Sequence, residues 1–147
     1  MTKTTLATTQ RATARWYVID ASQHVLGRMA AKVALVLQGK NKPTWTPHAD
    51  TGDFVVVINA ADVRVTGRKA EAKVYRRHTG YPGGMRETPY ADMKVRHPDA
   101  MVREAVRRML PKTTLGRHML SKLKIYPGKD HPHHAQKPEP LSLATKA

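Results

Sequence analysis

Between residues 16 and 59 the apolar positions change period twice. Trp16-Tyr17-Val18-Ile19 is a short β-rich run that closes on Asp20. Ala21 to Val25 read as a loop. Leu26, Met29, Ala30, Val33, Val36 and Leu37 then recur at three- and four-residue spacing, the period of one helix face. Gly39 follows as a C-cap, so the spacing predicts a helix over 27–38. Asp53 to Asn59 is a continuous apolar run of strand length, the pattern of a central parallel strand covered on both faces. Strand, helix and strand make a βαβ unit, which takes a right-handed crossover.

Beyond residue 60 the runs are shorter. Val63-Arg64-Val65 is a strand candidate, Thr66-Gly67 turns the chain, and Lys73 to His78 suit an edge strand. Thr79-Gly80-Tyr81-Pro82-Gly83-Gly84 is a loop by its glycines and proline. Pro89 to Arg96 suit a short helix, and Pro98 suits the first position of the next. There Met101, Val102, Ala105, Val106, Met109 and Leu110 cover one half of the wheel. Arg103, Glu104, Arg107 and Arg108 cover the other, with Glu104 and Arg108 a favourable i,i+4 pair. Pro111 ends this helix. Leu115 to Leu123 form another amphipathic segment, with Arg117 and Lys122 expected to face outward. The expected organisation is a flexible tail over 1–15, one α/β domain over 16–126 with a small, mainly parallel sheet, and an extended tail over 127–147.

Charge changes the picture from fold to partner. Lys and Arg number 26 against 11 Asp and Glu, a formal net of +15. The excess is uneven: net +3 over residues 1–62 and +12 over 63–147. A domain this basic repels itself unless a polyanion screens it, and nucleic acid does so through phosphate neutralisation and counterion release. An anionic membrane would call for a basic helix with exposed aromatic or leucine side chains, and aromatics are 5% here. No apolar run reaches the roughly 18 residues of a membrane-spanning helix. With no cysteine, disulfides, Cys-ligated zinc and a Cys nucleophile are excluded. The first fifteen residues lack acids and are rich in Thr and Ala. That faintly resembles an organellar transit peptide, but a flexible basic tail is the preferred reading.

Catalytic chemistry finds little support. His48, Asp50 and Asp53 have metal-like spacing, yet Asp50-Thr51-Gly52 is also an ordinary turn into a strand. His131, His133 and His134 sit among prolines and suit a solvated or RNA-contacting tail better than a metal site. Ser22 and Ser121 lack a nucleophile elbow. Gly39-Lys40 lacks the spacing of a phosphate-binding P-loop, and Asp20-Ala21-Ser22 stands where a dinucleotide fold places its glycines. The glycine loop is the better candidate. Glycines let a backbone approach a phosphate closely, and Arg76, Arg77, His78 and Arg86 flank them. Arg103, Arg107 and Arg108 form a second stripe that Lys112, Arg117, Lys122 and Lys124 continue. Only Glu104 and Asp130 offset it between residues 100 and 135. Trp45 and Tyr81 are candidates to stack on bases.

These segments together resemble a known family. Trp16-Tyr17-Val18-Ile19-Asp20-Ala21, Leu26-Gly27-Arg28, Thr46-Pro47-His48 and Asp50-Thr51-Gly52-Asp53 carry the first half of the likeness. His78 to Gly84, Met109-Leu110-Pro111-Lys112, Leu115-Gly116-Arg117, Lys122-Leu123-Lys124, His131-Pro132-His133 and Ala135-Gln136 carry the second. In order and spacing the chain resembles the bacterial branch of the large-subunit ribosomal protein thirteen family over residues 16–143. The resemblance implies a three-layer α/β/α sandwich around a small parallel sheet. It implies binding to large-subunit ribosomal RNA early in assembly, a cytoplasmic ribosome, and neighbouring large-subunit proteins as secondary partners. It implies no catalysis and no cofactor, and no metal, membrane or small-molecule substrate is expected beside it. The expected RNA-binding set is Arg28, Lys40, Lys42, Arg76, Arg77, His78, Gly80, Gly83, Gly84, Arg86, Arg107, Arg108, Lys112, Arg117, Lys122, Lys124, His131 and His133. A free-standing RNA binder, such as a chaperone or a repressor acting on messenger RNA, would share this composition.

Overall fold

The computed structural model describes Ala7 and residues 13–141. Trp16–Asp20 form β1, a single 3-10 turn follows at Ala21–Gln23, and Leu26–Gln38 form α1. Gly39 ends α1 in the left-handed region, φ 77°, and its amide donates to the Leu35 and Val36 carbonyls. The helix stops there because a left-handed C-cap closes its last carbonyls at little steric penalty only for glycine. Phe54–Ile58 form β2, parallel to β1, with Trp16 opposite Phe54 and Asp20 opposite Ile58. Val55, Val56 and Val57 are all buried, as the continuous apolar run requires.

Side chains alternate across the sheet. Ile19, Val55 and Val57 enter the core with Met29, Val33 and Leu37 of α1. Each such fully buried side chain contributes about 1.5–3 kcal/mol. Trp16 and Phe54 lie on the opposite face and stack, with ring centroids 4.4 Å apart. The loop before β2 is pressed onto the last turn of α1, since a Cβ on Gly52 would lie 1.8 Å from the Leu37 carbonyl oxygen.

The second half adds a short helix α2 (Lys69–Ala72), strands β3 (Val74–His78) and β4 (Met85–Pro89), and three helices. These are α3 (Tyr90–Arg96), α4 (Pro98–Met109) and α5 (Thr114–Ser121). Pro98 begins α4, and Met101, Val102 and Val106 are its buried stripe against α1 and the sheet. Strands β5 (Leu123–Ile125) and β6 (Glu139–Pro140) complete a four-stranded sheet in the order β5-β2-β1-β6, with every pair parallel. The protein is thus mixed α/β with a mainly parallel sheet and packed helices.

Four expectations are corrected. Val63–Val65 make only one bridge, Arg64 to Val25, because Val63 turns its side chain into the core. Lys73–His78 do not edge the main sheet. They pair antiparallel with Met85–Pro89, a strand that the alternation did not reveal, because both faces of this hairpin carry charged residues. The segment Leu115–Leu123 is not all helix: Leu123 starts β5, where buried Leu123 and Ile125 flank Lys124 in too few residues to show a period. Residues 127–141 are not a detached extension. Glu139 and Pro140 pair with Tyr17 and Val18, and the Leu141 amide donates to the Val18 carbonyl at 2.9 Å. The tail expected over 1–15 and residues 142–147 lie largely outside the described residues.

Candidate nucleic-acid interface

The β3–β4 hairpin projects charge. Directly opposite residues of an antiparallel pair share a face. Arg77 therefore lies beside Arg86, while Arg76 lies beside Glu87 on the other face. The Arg76 Nε donates to Glu87 at 2.6 Å, and that bond raises its pKa further above the ordinary guanidinium value. Arg77 faces only another cation across the hairpin. Two like charges placed opposite destabilise a hairpin, so the arrangement calls for an external anion.

Between the strands the glycine loop turns tightly. Thr79 N–H donates to the Gly84 carbonyl at 3.0 Å, and Gly84 N–H to the Tyr81 carbonyl at 2.9 Å. Gly80 and Gly83 adopt φ of 98° and 69°, which only glycine adopts readily. His78 does not point outward alone: its Nδ1 accepts from the Gly80 amide at 3.0 Å and shapes the turn. Tyr81 at the tip is 76% exposed, an unusual position for a phenol ring and a suitable stacking platform.

A second basic surface lies where α4 meets α5. The Thr113 hydroxyl accepts from Gly116 N–H and caps α5. Gly116 is buried against the preceding turn, and a Cβ there would lie 1.9 Å from the Pro111 carbonyl oxygen. That close approach leaves a cleft of about 650 Å³ lined by Arg107, Arg108, Lys112 and Arg117. All four are exposed. Glu104 holds Arg107 through two bonds of 2.8 Å and Arg108 through one of 2.8 Å. The Arg107 bond first, and then the Arg108 bond against opposing burial, keep the Glu104 carboxyl below its ordinary pKa. The carboxylate thereby fixes the direction of two guanidinium groups without neutralising the cleft.

Not every expected cation is turned to solvent. Lys122, expected to face outward, instead reaches inward: its Nζ donates to Asp50 at 2.7 Å and to the Gly52 carbonyl at 3.0 Å. Lys42 likewise donates to Asp53 and to the Thr51 and Thr13 carbonyls. Desolvated carboxylates demand such partners. Asp50 and Asp53 are therefore internal anchors, separated by the Thr51-Gly52 turn. Lys40 lies over the Trp45 ring at 5.5 Å, and both are exposed. Arg28 is exposed at the start of α1. Lys124 and His131 are half-buried. His133 tilts over Trp16 at 5.0 Å, and its Nε2 lies 2.9 Å from the Tyr126 hydroxyl. Burial first, then the charges of His131 and Lys124, push its pKa down. The histidines thus fasten the returning segment to the outer face of the sheet.

At the ends of β1 and β2 the Asp20 carboxylate accepts from Ser22 N–H, the Ser22 hydroxyl and Asn59 Nδ2. Protein groups fill the position where open α/β sheets often seat a nucleotide. Among the described residues no group of three or more His, Asp or Glu could hold a metal ion, and no helix is long and apolar enough to cross a membrane.

The sequence has close relatives. A family profile described as Ribosomal protein L13 matches residues 14–132. This chain belongs to the ribosomal protein L13 family. It is 55% identical over 145 residues to the large ribosomal subunit protein uL13 of Crocosphaera subtropica, covering 99% of this chain and 96% of the relative. It is 59% identical over 129 residues to uL13 of Rubrobacter xylanophilus, covering 88% and 90% of the two chains. With uL13 of Chloroflexus aurantiacus the identity is 58% over 125 residues, 85% and 87% of the two. As a member of a ribosomal protein family, the chain is a structural component and not an enzyme.

Proposed function

We propose that this protein, as a constituent of the large ribosomal subunit, binds large-subunit ribosomal RNA and supports early subunit assembly in the bacterial cytoplasm. Neighbouring large-subunit proteins are its secondary partners. The observation that carries the reading is the concentration of under-compensated cations on two rigid surfaces, the Arg77–Arg86 hairpin face and the Arg107–Arg117 cleft. Folded RNA is recognised mainly through shape, phosphates and 2′-hydroxyls. Cations on separated elements of one scaffold engage separate phosphates, so a single protein holds two RNA segments in fixed relation without any turnover. The glycine loop adds backbone amides and the Tyr81 ring. Lys42 and Lys122 support this surface from within, by holding the 50–53 turn.

The test is binding of the purified chain to protein-free large-subunit RNA across a salt series, with bulk transfer RNA as competitor. Tight, competitor-resistant binding with a steep salt slope is expected. Weak binding abolished by competitor would reduce the reading to nonspecific charge. Co-sedimentation with salt-washed large subunits at about one copy each separates a constituent from a free-standing RNA binder, which would wash away.

A further inference from the structure

A third concentration of positive charge joins Arg28 and Arg108 to two lysines outside the expected RNA-binding set, Lys69 and Lys73. A cleft of about 440 Å³ opens between the start of α1, the segment through α2, and the last turns of α4. Arg28, Lys69, Lys73 and Arg108 line it. These come from three separate stretches of chain, so the fold alone assembles them.

The cleft has no internal counterion. No carboxylate is among its lining residues. Among the described residues, Arg28, Lys69 and Lys73 form no ion pair, and Arg108 gives only its Nε to Glu104. Lys73 is half-buried and rests over the Tyr75 ring at 5.1 Å. Burial first, and then the charges of Lys69 and Arg108, push its pKa down.

The start of α1 faces the same space. No side chain caps it, and its first turn contains no acid. The Leu26 amide is taken by the Arg64 carbonyl at 2.8 Å. The amides of Gly27 and Arg28 belong to the first turn, whose N–H groups have no intrahelical acceptor. Space is open around Gly27, where an added Cβ would meet nothing within 4 Å. Uncapped amides, the positive end of a helix and four cations in one cleft together form an anion seat.

We propose that this cleft seats a backbone phosphate of RNA and that Arg108, which lines both this cleft and the α4–α5 cleft, joins the two into one continuous track. This rests on the RNA-binding reading. It adds Lys69 and Lys73 to the interface and places the start of α1 on the RNA.

The test compares the full chain with its Lys69→Gln/Lys73→Gln variant, both titrated with protein-free large-subunit RNA across a salt series. The expected result is a salt slope reduced by about one, as for one lost phosphate contact. The charge-matched control Lys94→Gln/Lys129→Gln keeps the slope, and Lys73→Arg with Lys69 intact keeps it too. Thermal melting verifies folding; removing mutually repelling cations leaves the variant at least as stable as the parent. An unchanged slope in the variant while the parent binds normally overturns this seat and leaves the RNA reading standing. An equal loss in the control also overturns the seat. Failure of the parent to bind RNA overturns both. Titration with inorganic phosphate, read at the Gly27 amide by NMR, distinguishes the source. Saturable shifts without any slope change would assign the cleft to free phosphate and overturn an RNA seat.

Discussion

Replacing Lys122 by Met removes one ammonium group and keeps most of the stem. The loss leaves the Asp50 carboxylate with the Gly52 amide at 3.3 Å as its hydrogen-bond donor among the described contacts. It also releases the Gly52 carbonyl. The pair is nearly but not wholly enclosed, with 15% of the Lys122 side chain and 10% of the Asp50 side chain exposed. Breaking a buried pair from one side costs about 3–5 kcal/mol, and an exposed pair is worth about 0.2–1 kcal/mol. With this exposure the expected loss lies toward the buried end, about 2–3 kcal/mol. For a chain of this size that corresponds to a melting temperature lower by roughly 5–10 °C. The assay is urea or thermal unfolding of the free protein, run beside the RNA salt series. Stability should fall while the salt slope of the folded protein stays unchanged. The double variant Lys122→Met/Asp50→Asn should recover more than half of the loss, because the stranded charge is gone. A Lys122→Met protein as stable as the parent, with a slope reduced by about one, would refute the internal role and place Lys122 on the RNA.

Other expectations follow from the same geometry. Gly116→Ala pushes a methyl group into the Pro111 carbonyl, 1.9 Å from its oxygen, so unfolding should show a loss of about 1–3 kcal/mol and the α4–α5 cleft should weaken its hold on RNA. Arg77→Ala/Arg86→Ala removes two cations that face each other, so RNA salt dependence should flatten by about one per lost contact while the melting temperature holds or rises. Glu104, whose pKa is lowered chiefly by Arg107, contributes stability that is present above the ordinary glutamate range and lost as pH falls through its depressed folded value. Glu104→Gln should therefore abolish that part of the acid-side decline in melting temperature, and an unchanged pH profile would count against the pairing.

The β1–α1–β2 unit is legible because its apolar periods are long: Leu26 to Gly39 carry one helical period through to the cap, and five consecutive apolar side chains mark β2. Pro98 and the two-faced wheel of α4 were equally plain. The hairpin was half visible. Val74 to His78 have strand character, but Met85-Arg86-Glu87-Thr88 show no apolar alternation, since neither side of β4 enters the main core. β6 was invisible because Glu139 and Pro140 are poor strand formers, held by the partner edge rather than by propensity. For the candidate site, the sequence marked the basic segments but not their direction. Lys42 and Lys122 look like Lys112 in one dimension. Only the fold shows that Asp53 and Asp50 lie within reach of them. Nothing in one dimension marks Lys69 and Lys73, because their partners in the third cleft, Arg28 and Arg108, are far away along the chain.

The pairing of β6 with β1 sets a timetable for synthesis. Tyr17 and Glu139 lie roughly 120 residues apart, a separation of the kind that slows folding. At about 5–20 residues per second, a ribosome takes roughly 6–24 s to supply that stretch. Throughout that interval the outer edge of Trp16–Asp20, a strand of high β-propensity, waits with unpaired amides and carbonyls. Once β6 arrives, Pro140 takes the edge position beside β1 with no N–H to offer, so this edge of the sheet becomes a poorer template for a further strand. The same two residues that finish the sheet thus also shield the Tyr17–Val18 edge from another nascent chain.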